Sequence, residues 1–299
     1  MTSELMASAL ATFHAAAVGG SQPLDAQSGA WTRRVRTALG DPAYLKITAA
    51  APGSNALAAA VRELRFYRKR APTAPVRTPP LLRAFRDEHG IALLLGDVGV
   101  QLDATAWRRE HWRTLGGELA RLHTMPIHPE DRSRQDGLLA AIRDPDLGQV
   151  QGFWWGLPGL ERLLAARDRL YERLASEPAV LVHGDCHTSN IVHDGSSLVF
   201  CDWQSTGAGR ASSDLALLSV RSTPTGAVVP EILFEEYCRQ AVPSRDPTEV
   251  VEAVLLEELA ILVFLWPPFA SLNSAPGIAR VHSRAHHLMH RTEISWLTD

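Results

Sequence analysis

One segment limits what this chain can fold into more than any other: LVHGDCHTSNIVHDGSSLVFCDWQ, residues 181–204. An apolar run ends at Val182, and a polar loop from His183 to Asn190 follows at once. A short apolar stretch, a turn at Asp194-Gly195-Ser196 and a second run, Leu198-Val199-Phe200-Cys201, then deliver Asp202. The pattern predicts a buried strand, a loop and a hairpin that bring together two carboxylates, Asp185 and Asp202, and one amide, Asn190.

Hard oxygen ligands of this kind suit Mg²⁺, which takes one or two carboxylates plus phosphate oxygens. A remaining carboxylate can accept the proton of an attacking hydroxyl. Taken singly, Asp185 and Asn190 are ordinary turn-formers. The combination Asp-x-x-x-x-Asn, then a hairpin to Asp, is the layout of a kinase catalytic loop and its metal-binding aspartate. A zinc reading competes, because His183 and His187 stand four apart with Cys186 between them. That spacing suits a metal on a helix. Gly184-Asp185 and the preceding strand argue against a helix here, and Cys186 and Cys201 lack a second close Cys or His pair.

Phosphoryl transfer needs a Lys–Glu pair upstream. Lys46 lies in the apolar strand Ala43-Tyr44-Leu45-Lys46-Ile47, and Glu63 is the only acid in a helix expected over 54–70. That helix also carries Arg62, Arg65, Arg68, Lys69 and Arg70, so Glu63 pairing locally with its Arg neighbours is the other reading. Lysine occurs only at 46 and 69, against 28 arginines among 30 basic residues. A lysine retained in such a chain fits a place that needs a compact ammonium.

Strands are expected at Ala30–Arg36, Ala43–Thr48, Leu81–Arg86 and Ile91–Leu95, and the helix over 54–70 is capped by Ser54. The proline-rich stretch APTAPVRTPP is loop. Helices are expected over Asp103–His123, Leu157–Glu177 and nearly everything beyond Ser212, with short elements at Ala179–Val182, Asn190–His193 and Leu198–Asp202. The fold class is therefore α+β with two lobes: a small β-rich lobe, 1–97, and a larger, mainly helical lobe, 98–299. The 299 residues, 45% hydrophobic and 21% charged, have ordinary globular composition. A net charge of −3 gives no basic excess for nucleic acid or anionic lipid. Three cysteines form no disulfide framework. The first basic residue is Arg33, so a secretory n-region is missing, and the apolar stretch Ala253–Trp266 is too short to span a bilayer. A soluble cytoplasmic protein with no membrane or nucleic-acid partner is expected.

At HGDCHTSN and CDWQSTGAGRASSDLALL the sequence resembles the aminoglycoside phosphotransferase family, relatives of choline kinase within the protein-kinase-like fold. These stretches match the family's HGDxHxxN and IDWxxAGxGxxxxDLA patterns. Weaker likeness lies at Arg62–Tyr67, in LLLGDVG and in LARLH around His123. The resemblance covers nearly the whole chain. It implies that Asp185 is the catalytic aspartate, that Asn190 and Asp202 hold Mg²⁺ on the triphosphate of ATP, and that Lys46, positioned by Glu63, contacts the α and β phosphates. Gly96 and Val98 would offer backbone groups to adenine. Asp214 and His187 would brace the catalytic loop, and Gln27-Ser28-Gly29-Ala30 occupies the nucleotide-loop position. That loop has one glycine, and Gly184 replaces the arginine of protein-kinase catalytic loops. Control by activation-loop phosphorylation is not expected.

The acceptor should bind in the helical lobe. Residues 231–258 hold eight acids (Glu231, Glu235, Glu236, Asp246, Glu249, Glu252, Glu257 and Glu258) against Arg239 and Arg245. They read either as acidic walls for a cationic acceptor or as solvated helix faces. His282, His286 and His290 share one helix face near Arg280, Arg284 and Arg291. That row reads as a metal site, or as a basic surface facing a phosphate or an acidic helix. Trp266-Pro267-Pro268-Phe269 lines a pocket or closes the core. The expectation is an ATP- and Mg²⁺-dependent O-phosphotransferase acting on a hydroxyl of a small molecule, an antibiotic, giving resistance. A metabolic kinase for an amino alcohol, sugar or nucleoside and a nucleotide-binding pseudokinase remain as alternatives. A monomer is expected, with a dimer left open.

Overall fold

The computed structural model describes residues 2–18, 24–25, 29–50, 55–241 and 246–291. The elements begin with α1 (Thr2–Phe13), β1 (Ala16–Ala17), β2 (Leu24–Asp25), β3 (Ala30–Arg36), β4 (Pro42–Ala49), α2 (Asn55–Lys69), β5 (Leu81–Asp87), β6 (Gly90–Gly96) and β7 (Val100–Gln101). Then come α3 (Arg109–Leu122), α4 (Gly137–Arg143), α5 (Leu147–Phe153), α6 (Leu160–Ala165), α7 (Arg167–Ala175), β8 (Ala179–Val182), β9 (Ile191–His193), β10 (Leu198–Phe200) and β11 (Gly207–Arg210). The chain ends in α8 (Ala211–Ser222), α9 (Glu231–Gln240), α10 (Pro247–Ala260) and α11 (Ala275–Arg291). The class is α+β. It divides into two compact units, one of residues 1–100 and 192–206, the other of 101–191 and 207–299. Residues 192–206, which the sequence placed in the helical lobe, therefore return to the first unit.

The first unit is an antiparallel sheet of order β1-β3-β4-β6-β5 with β2 paired to β3. Alternation along β4 sets the two faces of the sheet. Ala43, Leu45 and Ile47 pack with Val35, Ala92 and Leu94 against Leu5, Met6, Ala9 and Phe13 of α1. Lys46 points the other way and is buried there beside Glu63 of α2. Helix α2 buries Ala60, Glu63, Leu64 and Tyr67, an i, i+3, i+4, i+7 stripe, together with Phe66. Leu57 and Val61, the expected stripe residues, are half-buried. Ser54, the expected cap, lies outside the described residues. Helix α1 was not expected: its alanine-rich sequence carries a weak periodic signal, and docking on the sheet fixes it.

In the second unit β8 pairs antiparallel with β11, Val182 opposite Gly207. Helices α3 and α9 approach so closely that a Cβ on Gly116 would stand 2.3 Å from the Leu233 carbonyl oxygen, so this crossing requires glycine. The helix expected over 103–123 is broken. Asp103 caps a single 3₁₀ turn at Ala104–Ala106, Trp107 and Arg108 are extended, and α3 starts at Arg109. The helix expected over 157–177 is likewise two, α6 and α7, divided at Ala166. Helices α4 and α5, each capped by an aspartate (Asp136 and Asp146), fill a stretch the sequence reading left unassigned. Beyond Ser212 helix dominates, with 3₁₀ turns at Thr223–Thr225 and Pro267–Leu272. Trp266 is buried against Phe153, ring centroids 5.3 Å apart, so this tryptophan closes the core.

Candidate functional site

The candidate site residues form two clusters, one in each unit. In the first, strand β4 presents Lys46 between two carboxylates: Nζ stands 3.0 Å from Oε1 and 2.8 Å from Oε2 of Glu63, and 2.9 Å from Oδ1 of Asp202. Lys46 and Glu63 are almost fully buried, while the Asp202 side chain is 33% exposed. Burial disfavours the Lys46 ammonium, but Glu63 and Asp202 more than offset this and hold its pKa above that of an ordinary lysine. Burial likewise pushes the Glu63 carboxyl up against the pull of Lys46. Two carboxylate oxygens within 3.0 Å of one ammonium keep the group an ion pair.

Asp202 is held in an unusual backbone conformation, φ +63, two residues past the end of β10. The next residue fixes it there. Trp203 stacks on Phe66 of α2, centroids 3.8 Å apart, and its indole N–H donates to the Phe200 carbonyl at 2.9 Å. Arg62 of α2 donates to the Gln204 carbonyl at 3.0 Å. One helix thus supplies Glu63 to Lys46 and clamps the segment that carries Asp202. Strands β9 and β10 pair, and Asp194 accepts from the backbone N–H of Ser196 and Ser197 in the expected turn.

The second cluster is the loop after β8. Asp185, with its side chain 43% exposed, accepts from Asn190 Nδ2 at 3.0 Å, and the same amide nitrogen donates to the Asp185 carbonyl at 2.9 Å. His187 Nε2 stands 3.6 Å from Asp185 Oδ1. The loop turns at Gly184, whose φ of +84 suits glycine. Buried Asp214, in the first turn of α8, accepts from the backbone N–H of His183 and of Gly184, both at 2.8 Å. His123 Nε2 lies 3.2 Å from the same carboxylate, and His123 Nδ1 lies 2.9 Å from the Tyr237 hydroxyl. A carboxylate only accepts, so Nε2 carries a proton toward Asp214, and the Tyr237 hydroxyl holds the other ring nitrogen. Burial works against the Asp185 carboxylate, yet the hydrogen bond and charge of His187, with His183 and Arg221, bring its pKa down to about 2. Asp214 is lowered as well, its burial outweighed by His123, His183 and the Gly184 N–H.

The model of the phosphotransferase enzyme family, APH, matches residues 22–250. The chain belongs to that family. This phosphotransferase shares its fold with a choline/ethanolamine kinase family protein from Mesorhizobium loti, at TM-score 0.64 and 19% identity over 99% of this chain and 96% of that one. It is also similar to the macrolide 2′-phosphotransferase of Brachybacterium faecium, at TM-score 0.61 and 17% identity over 94% and 97% of the two chains. A third similar structure is an amicoumacin kinase, at TM-score 0.62 and 14% identity over 97% and 94%. No curated protein matches the sequence.

Within the phosphotransferase, the structure brings Lys46, Glu63 and Asp202 together in one unit, and Asp185 and Asn190 in the other. Gly96 ends β6, and its N–H is committed to the Pro80 carbonyl at 3.0 Å, which leaves its carbonyl as the group it can offer a base. Val98 follows, half-buried. Gly29 has left-handed backbone, φ +73, next to Ala56 of α2, and Ser28 lies outside the described residues. The zinc alternative does not match the geometry. His183 Nδ1 accepts from the Asp185 N–H, His187 faces Asp185, and burial pushes the Cys186 thiol far up. Cys201, also raised by burial and then by Asp202, titrates only at about 12.

The acidic run divides. Glu231, Glu235, Asp246, Glu249 and Glu252 are exposed. Glu236 pairs with Arg239, Glu257 with Arg210, and Glu258 with Arg284. Tyr237, Arg62 and Arg221 did not emerge from the sequence, since a tyrosine or arginine on an amphipathic helix carries no mark of a distant partner.

Proposed function

We propose that this phosphotransferase moves the γ-phosphate of ATP to a hydroxyl of a small molecule. The reading rests on one observation above others: a buried ammonium, Lys46, shared by Glu63 and Asp202. Burying the Lys46–Glu63 pair beside a third, partly exposed charge is costly, and the arrangement suits a site whose natural occupant is polyanionic. Lys46 then contacts the α and β phosphates, with Glu63 fixing its position. Ser28, Gly29 and Gly96 serve the nucleotide from a nucleotide-binding lobe of residues 1–97, and Val98 serves it from the position directly after that lobe. Residues 98–299 hold the catalytic loop and the acceptor.

Asp185 receives the proton of the acceptor hydroxyl. The acceptor oxygen forms the new bond to the γ-phosphorus, and the bond from that phosphorus to the bridging oxygen breaks, releasing ADP with the electron pair. With its pKa at about 2, Asp185 is ionised at neutral pH and acts mainly by orienting the hydroxyl. The donor set also fits Mg²⁺. Asp202 engages Lys46 through Oδ1 and keeps a second carboxylate oxygen, and Asn190 commits its amide nitrogen and keeps its oxygen. Mg²⁺ held by Asp202 and Asn190 would neutralise charge on the phosphates. The amicoumacin kinase structure carries AMP-PNP and Ca²⁺, which supports nucleotide and divalent-metal use.

The acceptor class we favour is an antibiotic, with resistance as the outcome. A macrolide phosphotransferase and an amicoumacin kinase among the similar structures support it. The choline/ethanolamine kinase neighbour keeps a metabolic acceptor as the second reading. The retained Lys46, Asp185, Asn190 and Asp202 argue against a pseudokinase. No described helix is long and apolar enough to cross a membrane, and we place the reaction in the cytoplasm, with the chain as a monomer or dimer. ADP release across a panel of antibiotics and metabolites, in wild type and Asp185→Asn, tests the proposal. Acceptor-dependent ADP release that vanishes in the variant is expected. Equal release in both proteins overturns it.

A further inference from the structure

Tyr67 of α2 carries a hydroxyl that takes no part in the bonds of the Lys46–Glu63–Asp202 group. The residue is 4% exposed, and its hydroxyl has no hydrogen-bond partner among the described residues. A buried donor without an acceptor destabilises a fold, and such a group in a native protein calls for an explanation. Tyr67 stands one helical turn after Glu63. Helix side chains lean toward the N-terminus, so Tyr67 lies over the turn that carries Glu63. Its ring is edge-on to Phe66, centroids 5.9 Å apart, and Phe66 stacks on Trp203, which fixes the ring in place. Burial, then the charges of Glu63, Cys201 and Asp202, pushes the Tyr67 pKa far above that of an ordinary tyrosine. The hydroxyl therefore keeps its proton and meets acidic groups as a donor.

Lys46 has three N–H donors, and three carboxylate oxygens already surround them: Oε1 and Oε2 of Glu63 at 3.0 and 2.8 Å, and Oδ1 of Asp202 at 2.9 Å. Contact with an α and a β phosphate takes two of these donors. With the third kept on Glu63, the contact to Asp202 and one contact to Glu63 are given up. The Asp202 side chain is partly exposed, so solvent meets its released oxygen. The Glu63 side chain is 1% exposed, and solvent does not reach it. The backbone N–H of Trp203 supports the Glu63 carboxylate, but Oε2 makes no aligned hydrogen bond and relies on the charge of Lys46. An anionic oxygen stranded there is costly. The same helix holds the donor that can meet it.

We propose that Tyr67 is a positioning residue of the nucleotide site: its hydroxyl donates to Oε2 of Glu63 when phosphates draw Lys46 away, and so holds Glu63 for the one Lys46 contact that remains. The proposal rests on the phosphotransfer reading. Phenylalanine would fill the same space without a stranded donor, so packing alone gives the hydroxyl no task.

Tyr67→Phe, compared with wild type as the full chain, tests the proposal. Calorimetric titration with Mg-ATP should show binding about ten-fold weaker in the variant, the scale of a lost hydrogen bond to a charged group. Adenosine has no phosphates to draw Lys46, so its saturation-transfer NMR signal should be the same in both proteins. Thermal unfolding without ligand should occur at the same or a higher temperature in the variant, which separates the effect from loss of fold. Equal Mg-ATP affinity in the two proteins overturns the Tyr67 assignment and leaves phosphotransfer. So does a parallel weakening of Mg-ATP and adenosine, which would mean a change in the shape of the site. A lower unfolding temperature in Tyr67→Phe also overturns it, because the hydroxyl would then be bonded before nucleotide arrives. Wild type that does not bind Mg-ATP overturns the phosphotransfer reading itself.

Discussion

Lys46 and Asp202 are 156 residues apart in sequence and meet at 2.9 Å, Nζ to Oδ1. The contact joins the middle of a sheet strand to a residue of positive φ at the end of a hairpin, and helix α2 holds both ends through Glu63 and Phe66. A compact ammonium fits between the two carboxylates. A planar guanidinium on a longer stem does not. Lys46→Arg should therefore lower kcat/KM about ten-fold or more, roughly 1.4 kcal/mol in the barrier. ADP-release kinetics with nucleotide titration measure this. Full activity in the variant would make Lys46 an ordinary strand residue.

The low pKa of Asp185 fixes an expectation for pH. The folded value, about 2, lies below that of an ordinary aspartate. The surroundings of this carboxylate therefore stabilise the fold above the unfolded pKa of about 3.9, and that contribution is lost as pH falls through the folded value. For turnover, Asp185 supplies no acidic limb between about pH 4 and 8. His187→Gln removes the leading favourable partner and should raise the Asp185 pKa, moving an acidic limb upward into the measurable range. A pH–rate profile identical to wild type would place the control elsewhere.

The sequence made the local parts of this architecture legible. Strands β3 to β6, helix α2 and the loop of Asp185 follow from alternation, helical period and turn chemistry, all of which act over a few residues. The pairing of Lys46 with Glu63 was legible from their order and spacing. The rest depends on contacts made far along the chain. Helix α1 exists because the sheet covers its apolar face, and its own sequence marks it weakly. Ala166 divides α6 from α7 with no glycine or proline to announce the break. Glu257 and Glu258 read like solvated acids on an amphipathic helix, yet both are almost fully buried, because their partners Arg210 and Arg284 come from distant segments.

That burial carries a stability prediction. Arg210 donates to both oxygens of Glu257 and, at 2.7 Å, to Asp136, while Ser212 also bonds Glu257. Glu257→Ala leaves a buried guanidinium with only Asp136 as a counter-charge. Removing one partner of a buried pair typically costs about 3–5 kcal/mol. Urea unfolding should show a loss of that order, and a loss below about 1 kcal/mol, the scale of exposed pairs, would contradict it.

Asp214→Asn tests how the catalytic loop is held. The substitution keeps shape and volume but removes the charge and turns one acceptor into a donor. In wild type the two oxygens accept three N–H groups, from His183, Gly184 and His123. The asparagine oxygen can serve only one side, so one backbone N–H faces an amide N–H. Unsatisfied or opposed buried donors cost about 1–3 kcal/mol, which thermal unfolding should register. The effect on turnover should be larger than stability alone explains, because Asp185 lies directly after Gly184 and inherits any shift of the backbone. A displacement near 1 Å at a reacting group can cost about 100-fold in rate. The Lys46–Glu63–Asp202 group shares no residue with this network, so nucleotide affinity should stay near wild type while kcat falls. A parallel loss of nucleotide affinity and kcat, tracking the unfolded fraction, would reduce Asp214 to a purely structural residue.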